Sequence, residues 1–245
     1  MQAPHPPLKE YYCEEAERSE WVRQMFDRTA ADYDRVERAM AFGTGSWYRR
    51  RALARAGLTS GMRVLDVGTG TGLTACEAAH LTGNSGQVAG IDPSAGMLAR
   101  ARVPADVQLR LGSAEAIPSP PAAVDFLCMG YALRHVTDLS AAFREFLRVL
   151  VPGGRICLLE ITAPEGRVAR TLLRAYMRGA VPLMARSLAR HRDVPKLMRY
   201  YWDTIDACAA PRLILKALRE AGFADAYRHV ELGIFSEYRA QKPRA

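Results

Sequence analysis

The clearest chemical signal in the chain is an apolar run that ends in glycines at alternate positions, Val64-Leu65-Asp66-Val67-Gly68-Thr69-Gly70-Thr71-Gly72. Glycine lets a backbone turn tightly and lets a ligand approach it closely. A helix that begins near Leu73 would add free N–H groups and the positive end of its dipole. The segment therefore predicts a nucleotide-like cofactor site where a strand ends.

The glycine spacing separates this loop from two common phosphate-binding loops. A dinucleotide fingerprint has its third glycine three residues after the second, and that position is Leu73. A P-loop needs a Gly-Lys-Ser/Thr ending, which the segment lacks. Asp66 instead precedes the first glycine by two residues, where a carboxylate suits the amino group of a methionine moiety better than a pyrophosphate.

A second acid stands at the tip of the next apolar run, Gly90-Ile91-Asp92. A carboxylate in that place can accept hydrogen bonds from both ribose hydroxyls. Met97, one helical turn further on, could pack on an adenine face. A glycine turn that merely joins a strand to a helix is the alternative, and Asp66 together with Asp92 favours the cofactor site.

The elements that must position these residues alternate along the chain. Apolar runs predict strands at 62–67, 87–91, 107–111, 124–129 and 155–161, and helical stretches predict helices at 73–81, 94–101 and 139–150. Such alternation implies a parallel sheet with right-handed crossovers, and strands apolar on both faces indicate helices on both sides. After a final helix at 212–221, the runs 226–232 and 234–240 predict a closing antiparallel hairpin.

The rest of the chain divides by its pattern into further regions. We expect a flexible arm at 1–18, an N-terminal helical cap at 19–56, a cofactor-binding core at 57–165, a helical lid at 166–203 and the C-terminal part of the core sheet at 204–245.

Composition limits the class of protein. The 245 residues are 49% hydrophobic, enough for a sizeable core, and no apolar run approaches the roughly 20 residues that cross a bilayer. The start of the chain lacks the basic and apolar regions of a secretory signal. Five cysteines without a CxxC pair favour a reduced, cytoplasmic protein, and no metal site is predicted.

The formal net charge of +8 has two explanations, an anionic partner or a genome that favours arginine codons. The lid carries many arginines among large apolar residues, a composition that suits either an anionic membrane surface or a solvated lid over a pocket. No aromatic-basic repeat supports nucleic acid binding. Peripheral membrane contact through the lid and a homodimer both stay open.

At this point the motifs resemble those of class I methyltransferases, and DVGTGTG with IDPSAGML is similar to the first two of them. Within that class the chain resembles the ubiquinone/menaquinone-biosynthesis C-methyltransferases from about Val22 to Ala240. Five segments carry this likeness: VRQMFD with ADYD, YALRHVTD, RVLVPGGR, LEITAP and YYWDTI.

The resemblance implies a Rossmann-like class I methyltransferase fold with a mostly parallel seven-stranded sheet, S-adenosylmethionine as cofactor, and an aromatic small molecule as methyl acceptor. It also implies the cofactor site. Tyr33 would touch the methionine end, Asp66, Gly68 and Gly70 would line the cradle, and Asp92 would hold the ribose. The full expected set of cofactor-binding residues is Tyr33, Asp66, Gly68, Thr69, Gly70, Asp92, Pro93, Met97, Ser113, Ala114, Glu115 and Met129.

The chain departs from the family pattern mainly where the acceptor binds. Ser113 replaces an acid that faces the adenine amine, and His135 replaces an asparagine after the arginine. Glu37 falls near the place of another asparagine, and Ala41-Phe42-Gly43 replaces a serine-glycine pattern. These differences leave room for another phenolic or quinone-like acceptor.

Two residues after the fourth strand are the candidate catalytic groups. A phenolic ring carbon becomes nucleophilic when its hydroxyl loses a proton, and His135 can act as a base near neutral pH. Arg134 could stabilise the phenolate. Alternatively, His135 caps the next helix and Arg134 forms a surface ion pair.

Four functions follow from these patterns. The first is methylation of a ring carbon of a quinol or related phenol. The second is O- or N-methylation of a specialised metabolite. A non-methylating protein that binds the cofactor is the third, and RNA methylation, suggested only by the charge, is the fourth.

Overall fold

The computed structural model describes residues 3–244. Its helices are α1 (Glu15–Met40), α2 (Gly45–Arg55), α3 (Leu73–Thr82), α4 (Ala95–Leu98), α5 (Leu139–Val149), α6 (Arg167–Ala175), α7 (Val181–Leu188), α8 (Val194–Ala207) and α9 (Pro211–Glu220). Its strands are β1 (Arg63–Val67), β2 (Gln87–Asp92), β3 (Gln108–Leu111), β4 (Val124–Gly130), β5 (Leu150–Ile161), β6 (Ala224–Glu231) and β7 (Phe235–Gln241).

The seven strands form one sheet in the order β3-β2-β1-β4-β5-β7-β6. The first five strands are parallel, and β7 pairs antiparallel with both β5 and β6. This arrangement confirms the predicted fold class. From β1 the chain order proceeds outward to β2 and β3 on one side, and from β4 to β5 on the other. The place where the strand order changes direction, between β1 and β4, is the point at which open α/β sheets bind ligands.

Three apolar clusters hold the molecule together. Helices α5 and α9 pack on one face of the sheet, for example through Phe143 and Phe146. Helices α2 and α3 cover the other face around Leu53 and Phe126. The third cluster lies between α1, α7 and α8 around Trp202, so the lid has an apolar core of its own with the N-terminal helix.

The expected flexible arm differs from the structure. The side chains of His5, Tyr12 and Arg18 are 3%, 3% and 0% exposed, and α1 already begins at Glu15. The Ala209 N–H donates to the Pro4 carbonyl at 2.7 Å. The segment is packed because its aromatic residues join the apolar cluster of the lid. The proline-rich sequence at the start of the chain did not indicate this packing.

Two further elements differ in length from their predictions. The helix expected at 94–101 is the single turn α4, after which the Arg102 N–H donates to the Thr71 carbonyl at 3.1 Å and returns the chain to the glycine loop. The lid helices continue to Ala207 and include one π-helical turn, Tyr176–Ala180. Within residues 3–244, no helix has the length and apolar character that crossing a bilayer requires.

Candidate active site

A cleft of about 1050 Å³, partly open to solvent, lies at the carboxyl ends of β1, β2 and β4, under α1 and α8. Twelve of the predicted site residues line it: Tyr33, Gly68, Thr69, Gly70, Asp92, Pro93, Met97, Ser113, Ala114, Glu115, Met129 and His135. Asp66 and Arg134 are not among the lining residues.

The glycine loop adopts a backbone that side chains would disturb. Gly68 and Gly70 have φ values of +68° and +57°, in the left-handed region that favours glycine. A Cβ on Gly68 would lie 2.7 Å from the Cβ of Ala132, and one on Gly70 would lie 3.2 Å from Cε of Met97. The loop therefore leaves room for a ligand against its backbone.

Asp92 reaches the cleft with a carboxylate that the loop holds in place. Its Oδ2 accepts a hydrogen bond from the Gly70 N–H, and its Oδ1 accepts one from the Ser94 N–H, both at 2.8 Å. Burial raises the pKa of Asp92 to about 6, although these two hydrogen bonds favour the ionised form. Asp92 is thus ionised at neutral pH and retains free lone pairs toward the cleft.

The position of Asp66 corrects its expected role as a ligand of the methionine amino group. Asp66 is 0% exposed and lies beneath the loop, where Thr69 Oγ1 donates to its Oδ2 at 2.7 Å and Cys128 Sγ donates to its Oδ1 at 3.5 Å. Burial raises the pKa of Asp66 to about 7. The carboxylate therefore orders the loop and does not line the cleft.

Glu115 lines the cleft, and one oxygen of its carboxylate is already engaged. Its Oε1 accepts hydrogen bonds from the Thr137 N–H at 2.8 Å and from Thr137 Oγ1 at 2.7 Å. Glu115 thereby fixes the segment between β4 and α5, which carries His135. Ser113 lies beside it in the wall of the cleft.

Helix α1 contributes three aspartates whose roles sequence reasoning missed. Asp27 Oδ1 accepts hydrogen bonds from Ser94 Oγ at 2.6 Å and from the Gly96 N–H at 2.8 Å. Asp34, two helical turns later on the same face, accepts from Thr71 Oγ1 at 2.6 Å. The spacing of seven residues between two acids in the MFD and YD segments was the available signal.

The third aspartate turns to the lid. Asp32 is 2% exposed, and its Oδ2 accepts the N–H groups of Arg190 and His191, each at 2.8 Å. These bonds attach the loop between α7 and α8 to α1. One helix therefore connects the cofactor loops with the lid.

The part of the cleft nearest the lid is aromatic. Phe26, Tyr33, Tyr131, His135 and Tyr201 line it, and the Tyr201 hydroxyl donates to the Tyr33 hydroxyl at 3.0 Å. The rings of Phe26 and His135 meet edge to face with centroids 5.4 Å apart. A flat aromatic molecule suits such walls.

His135 is a neutral group in the wall of the cleft. Burial, together with the charge of Arg134 and of Arg18, lowers its pKa well below the usual value. Its Nδ1 lies 3.3 Å from the Tyr200 hydroxyl, and its buried Nε2 has no hydrogen-bond partner within residues 3–244. His135 is therefore a weaker base than predicted, although the imidazole stays in its hydrogen-bond-accepting form at neutral pH.

The alternative roles of this pair are wrong. Asp138 caps α5, because its Oδ1 accepts the N–H groups of Ser140 and Ala141, so His135 is not the cap. Arg134 is 1% exposed and donates from Nη1 to Glu160 Oε2 at 2.8 Å, so its ion pair is buried and not on the surface. Arg134 also lies behind Tyr201, with its guanidinium 4.8 Å from the ring centroid. It therefore acts on the cleft only through its neighbours.

Arg49 is a second residue that sequence reasoning missed. It lines the cleft at 4% exposure, and its Nη2 donates to Glu37 Oε1 at 2.7 Å. Its guanidinium lies 5.3 Å from the centroid of the Tyr131 ring. Tyr131 itself has φ of +60°, a strained conformation that places its ring in the wall of the cleft.

In the described part of the chain, one group of potential metal ligands occurs, away from the cleft. His229, Glu231 and Glu237 place ligand atoms within 4.8 Å of one another. The Arg55 guanidinium donates to both carboxylates and occupies the place between them. These acids are therefore partners of an arginine.

Comparison with known proteins places this cleft among methyltransferases. The sequence model described as the ubiE/COQ5 methyltransferase family matches residues 14–242. A demethylmenaquinone methyltransferase of Roseiflexus castenholzii is 35% identical over 89% of this chain and 91% of its own length. A demethylmenaquinone methyltransferase of Symbiobacterium thermophilum is 32% identical over 93% of this chain and 95% of its own length.

A solved structure supports the fold. A SAM-dependent methyltransferase from Aquifex aeolicus superposes with a TM-score of 0.58, covering 79% of this chain and 88% of that protein at 20% identity. At this identity the similarity concerns the Rossmann-like architecture and not the acceptor.

Proposed function

This chain belongs to the ubiE/COQ5 methyltransferase family, and on that premise we propose that it methylates a ring carbon of a quinol. It is an S-adenosylmethionine-dependent methyltransferase. The curated relatives are named for C-methylation in ubiquinone and menaquinone biosynthesis or for demethylmenaquinone. They favour a ring carbon over the oxygen, nitrogen, RNA and non-methylating alternatives.

The observation that carries the proposal is the division of the cleft into two unlike parts. One part is a glycine loop with an ionised carboxylate, Asp92, that can accept hydroxyl hydrogen bonds. The other part is aromatic and contains the neutral imidazole of His135, which has one ring nitrogen that can accept a hydrogen bond. A nucleoside fits the first part, and a flat hydroxylated ring fits the second.

The residues of the cleft fit the cofactor. The left-handed glycines keep the loop free of side chains, and Asp92 is placed to accept the ribose hydroxyls. Met97 supplies an apolar wall at 3% exposure. S-adenosylmethionine, when bound, supplies a methyl group on a sulfonium, a good leaving group.

The remaining task of the protein is to align the acceptor and raise the electron density of its ring. In the tautomer whose Nδ1–H donates to the Tyr200 hydroxyl, His135 Nε2 accepts the hydrogen bond of a quinol hydroxyl, which shifts electron density toward the ring carbon beside it. Methyl transfer to that carbon would leave S-adenosylhomocysteine, and the proton displaced from the ring carbon would pass to water in the partly open cleft, which restores the aromatic quinol. Arg134 and Arg18 add positive charge behind His135, which favours an ionised oxygen on the acceptor.

The test is an assay of methyl transfer to demethylmenaquinol with a short prenyl chain, prepared by chemical reduction of the quinone. A catechol and an aliphatic amine are assayed for comparison. We expect a product heavier by one CH2 unit, with the new methyl on a ring carbon by NMR, from the quinol only. Methylation of the oxygen or of the amine, or no product, would contradict the proposal.

Replacement of His135 separates its role from that of the cofactor site. His135→Ala is expected to lower kcat about tenfold to hundredfold while the affinity for S-adenosylhomocysteine is unchanged. His135→Asn should keep more activity, because the amide oxygen can also accept a hydrogen bond. The matched control is His80→Ala on the exposed side of α3, which should behave as the wild type. Equal rates for His135→Ala and His80→Ala would exclude His135 from the reaction.

The proposal includes the place where the enzyme works. We place it in the cytoplasm, at the surface of an anionic membrane that holds a prenylated acceptor. Val168 and Leu172, one turn apart on α6, are 75% and 66% exposed, and Phe42 beside Tyr176 is 81% exposed. Arg167 and Arg174 flank these apolar residues on α6 and support contact with acidic headgroups.

A further inference from the structure

The charged residues that line the cleft are not equally available to a ligand. They are Arg23, Arg49, Asp92 and Glu115. Glu115 is engaged with Thr137, and Arg23 is 40% exposed and paired with Glu20 and Asp27. Arg49 is the buried cation of this set, at 4% exposure.

Arg49 has more hydrogen-bonding capacity than its protein partner uses. A guanidinium has five N–H donors, and Glu37 takes one of them through Nη2. The Nε atom is buried and has no hydrogen-bond partner among the residues that the structure describes. A buried donor without a partner is unfavourable, so a ligand oxygen that reaches it would gain a hydrogen bond that the protein does not supply.

Two contacts fix the direction of the guanidinium. Glu37 holds one side by an ion pair at 2.7 Å, and the ring of Tyr131 covers a face. The strained backbone of Tyr131 is what brings that ring into the wall of the cleft. The group is thus oriented before any ligand arrives, which lowers the entropy cost of binding.

The glycine loop shows which end of the cofactor lies near this cation. Gly70 faces Met97 on the side of Asp92, where the nucleoside fits. Gly68 faces Ala132, the neighbour of Tyr131, on which Arg49 lies. The amino acid end of the cofactor carries a carboxylate, and Asp66, once expected to bind that end, is beneath the loop.

We propose that Arg49 binds the α-carboxylate of the methionine moiety of the cofactor, with Glu37 and Tyr131 as the residues that position it. The proposal deepens the proposed function. It rests on the use of S-adenosylmethionine and not on the identity of the acceptor. An ionised oxygen of the acceptor has the same chemistry, so the test must distinguish the two sources.

The test compares two ligands by titration calorimetry in the absence of any acceptor. S-adenosylhomocysteine carries the amino acid end, and 5′-methylthioadenosine has the same nucleoside and thioether without it. In the double variant Glu37→Gln/Arg49→Gln, which leaves no unpaired charge, we expect the affinity for S-adenosylhomocysteine to fall about tenfold to hundredfold. The affinity for 5′-methylthioadenosine should stay within about twofold of the wild type.

Two further variants control for structure and charge. Arg49→Lys keeps the charge but loses the planar fork, so it should lie between the wild type and the double variant. Arg51→Gln removes a charge from the exposed side of the same helix, where the guanidinium lies over Trp47, and should change neither affinity. Circular dichroism melting of each variant reports whether the fold is retained.

The other outcomes would overturn the assignment. An equal loss of affinity for both ligands would mean general damage to the cleft, and no loss for either would mean that Arg49 binds neither end. Unchanged binding of S-adenosylhomocysteine with a raised KM for the quinol would assign Arg49 to the acceptor instead. Failure of quinol methylation would overturn the proposed function alone, because this binding test contains no acceptor.

Discussion

Asp92 is the residue through which we expect pH to change the affinity for the cofactor. Its folded-state pKa of about 6 is raised by burial, so the carboxylate is ionised at neutral pH and becomes protonated as the pH falls through 6. A protonated carboxyl group can no longer accept hydrogen bonds equally from two hydroxyls. Cofactor affinity should therefore decrease on the acid side of this value.

We expect the affinity for S-adenosylhomocysteine to be about tenfold weaker at about pH 5 than at about pH 7.5, since each unit below the pKa costs up to tenfold. Titration calorimetry across this range measures the change. Asp92→Asn should bind weakly at every pH, and Asp66→Asn, which changes the buried carboxylate beneath the glycine loop, should keep the wild-type slope. A flat profile for the wild type, or loss of the slope only in Asp66→Asn, would assign the titration to another group.

The two aspartates also show how far single residues can be predicted. Asp92 ends a strand at the edge where ligands bind, and its position follows from the alternation of strands and helices. Asp66 lies one residue before the end of β1, where side chains alternate between faces, and its carboxylate points into the protein. The motif placed it near the cofactor, but only the fold shows that Thr69 and Cys128 enclose it.

At the scale of elements, α1 is the connection between the cofactor loops and the lid. Asp34 bonds the glycine loop through Thr71, and Asp32 bonds the loop before α8 through two backbone N–H groups. The two acids are two residues apart and point to different parts of the molecule. Their replacement should therefore have different consequences.

Asp32→Ala is expected to release the loop between α7 and α8, because two partly buried N–H groups lose a charged acceptor at about 1–3 kcal/mol each. Tryptic cleavage after Arg190 and Arg192 in the native protein should become about tenfold faster, as local opening becomes easier. Asp34→Ala is the matched control. It should leave this cleavage rate unchanged and instead weaken the binding of S-adenosylhomocysteine.

Equal cleavage of Asp32→Ala and the wild type would contradict the role of Asp32 as the lid anchor. A faster cleavage in both variants would mean that α1 supports the lid as a whole and not through one carboxylate.

The strands and most helices of the core could be predicted because the spacing of their apolar residues is regular and can be seen within a short stretch of sequence. The N-terminal segment could not, because its burial depends on Tyr200 and other lid residues that are distant in sequence. The same holds for Arg49, whose importance arises from Glu37 on α1 and from Tyr131 after β4. Residues that meet only through the tertiary fold carry no local signal.

For the whole molecule, the sheet and its two covering layers form a core to which a second apolar cluster is attached. That cluster joins α1 to α7 and α8 and leaves the outer side of α6 uncovered within the described residues. Arg167 and Arg174 lie on this helix together with its exposed apolar residues Val168 and Leu172. The arrangement agrees with an enzyme whose acceptor enters from a membrane surface.

The membrane proposal predicts binding to vesicles that depends on both apolar and charged residues of the lid. The wild type should sediment with phosphatidylglycerol-containing vesicles and much less with pure phosphatidylcholine, and binding should weaken as salt is raised, because surface charges are screened. Leu172→Glu places a negative charge on the exposed apolar side of α6 and should reduce binding about tenfold.

The matched control is Leu111→Glu, since Leu111 is 60% exposed on the edge strand β3, far along the sheet from the strand that leads into the lid. If both variants bind equally, the attraction comes from overall charge and the lid is not the contact. If the wild type does not sediment with acidic vesicles, the lid is a solvated cover and the acceptor must reach the cleft from solution.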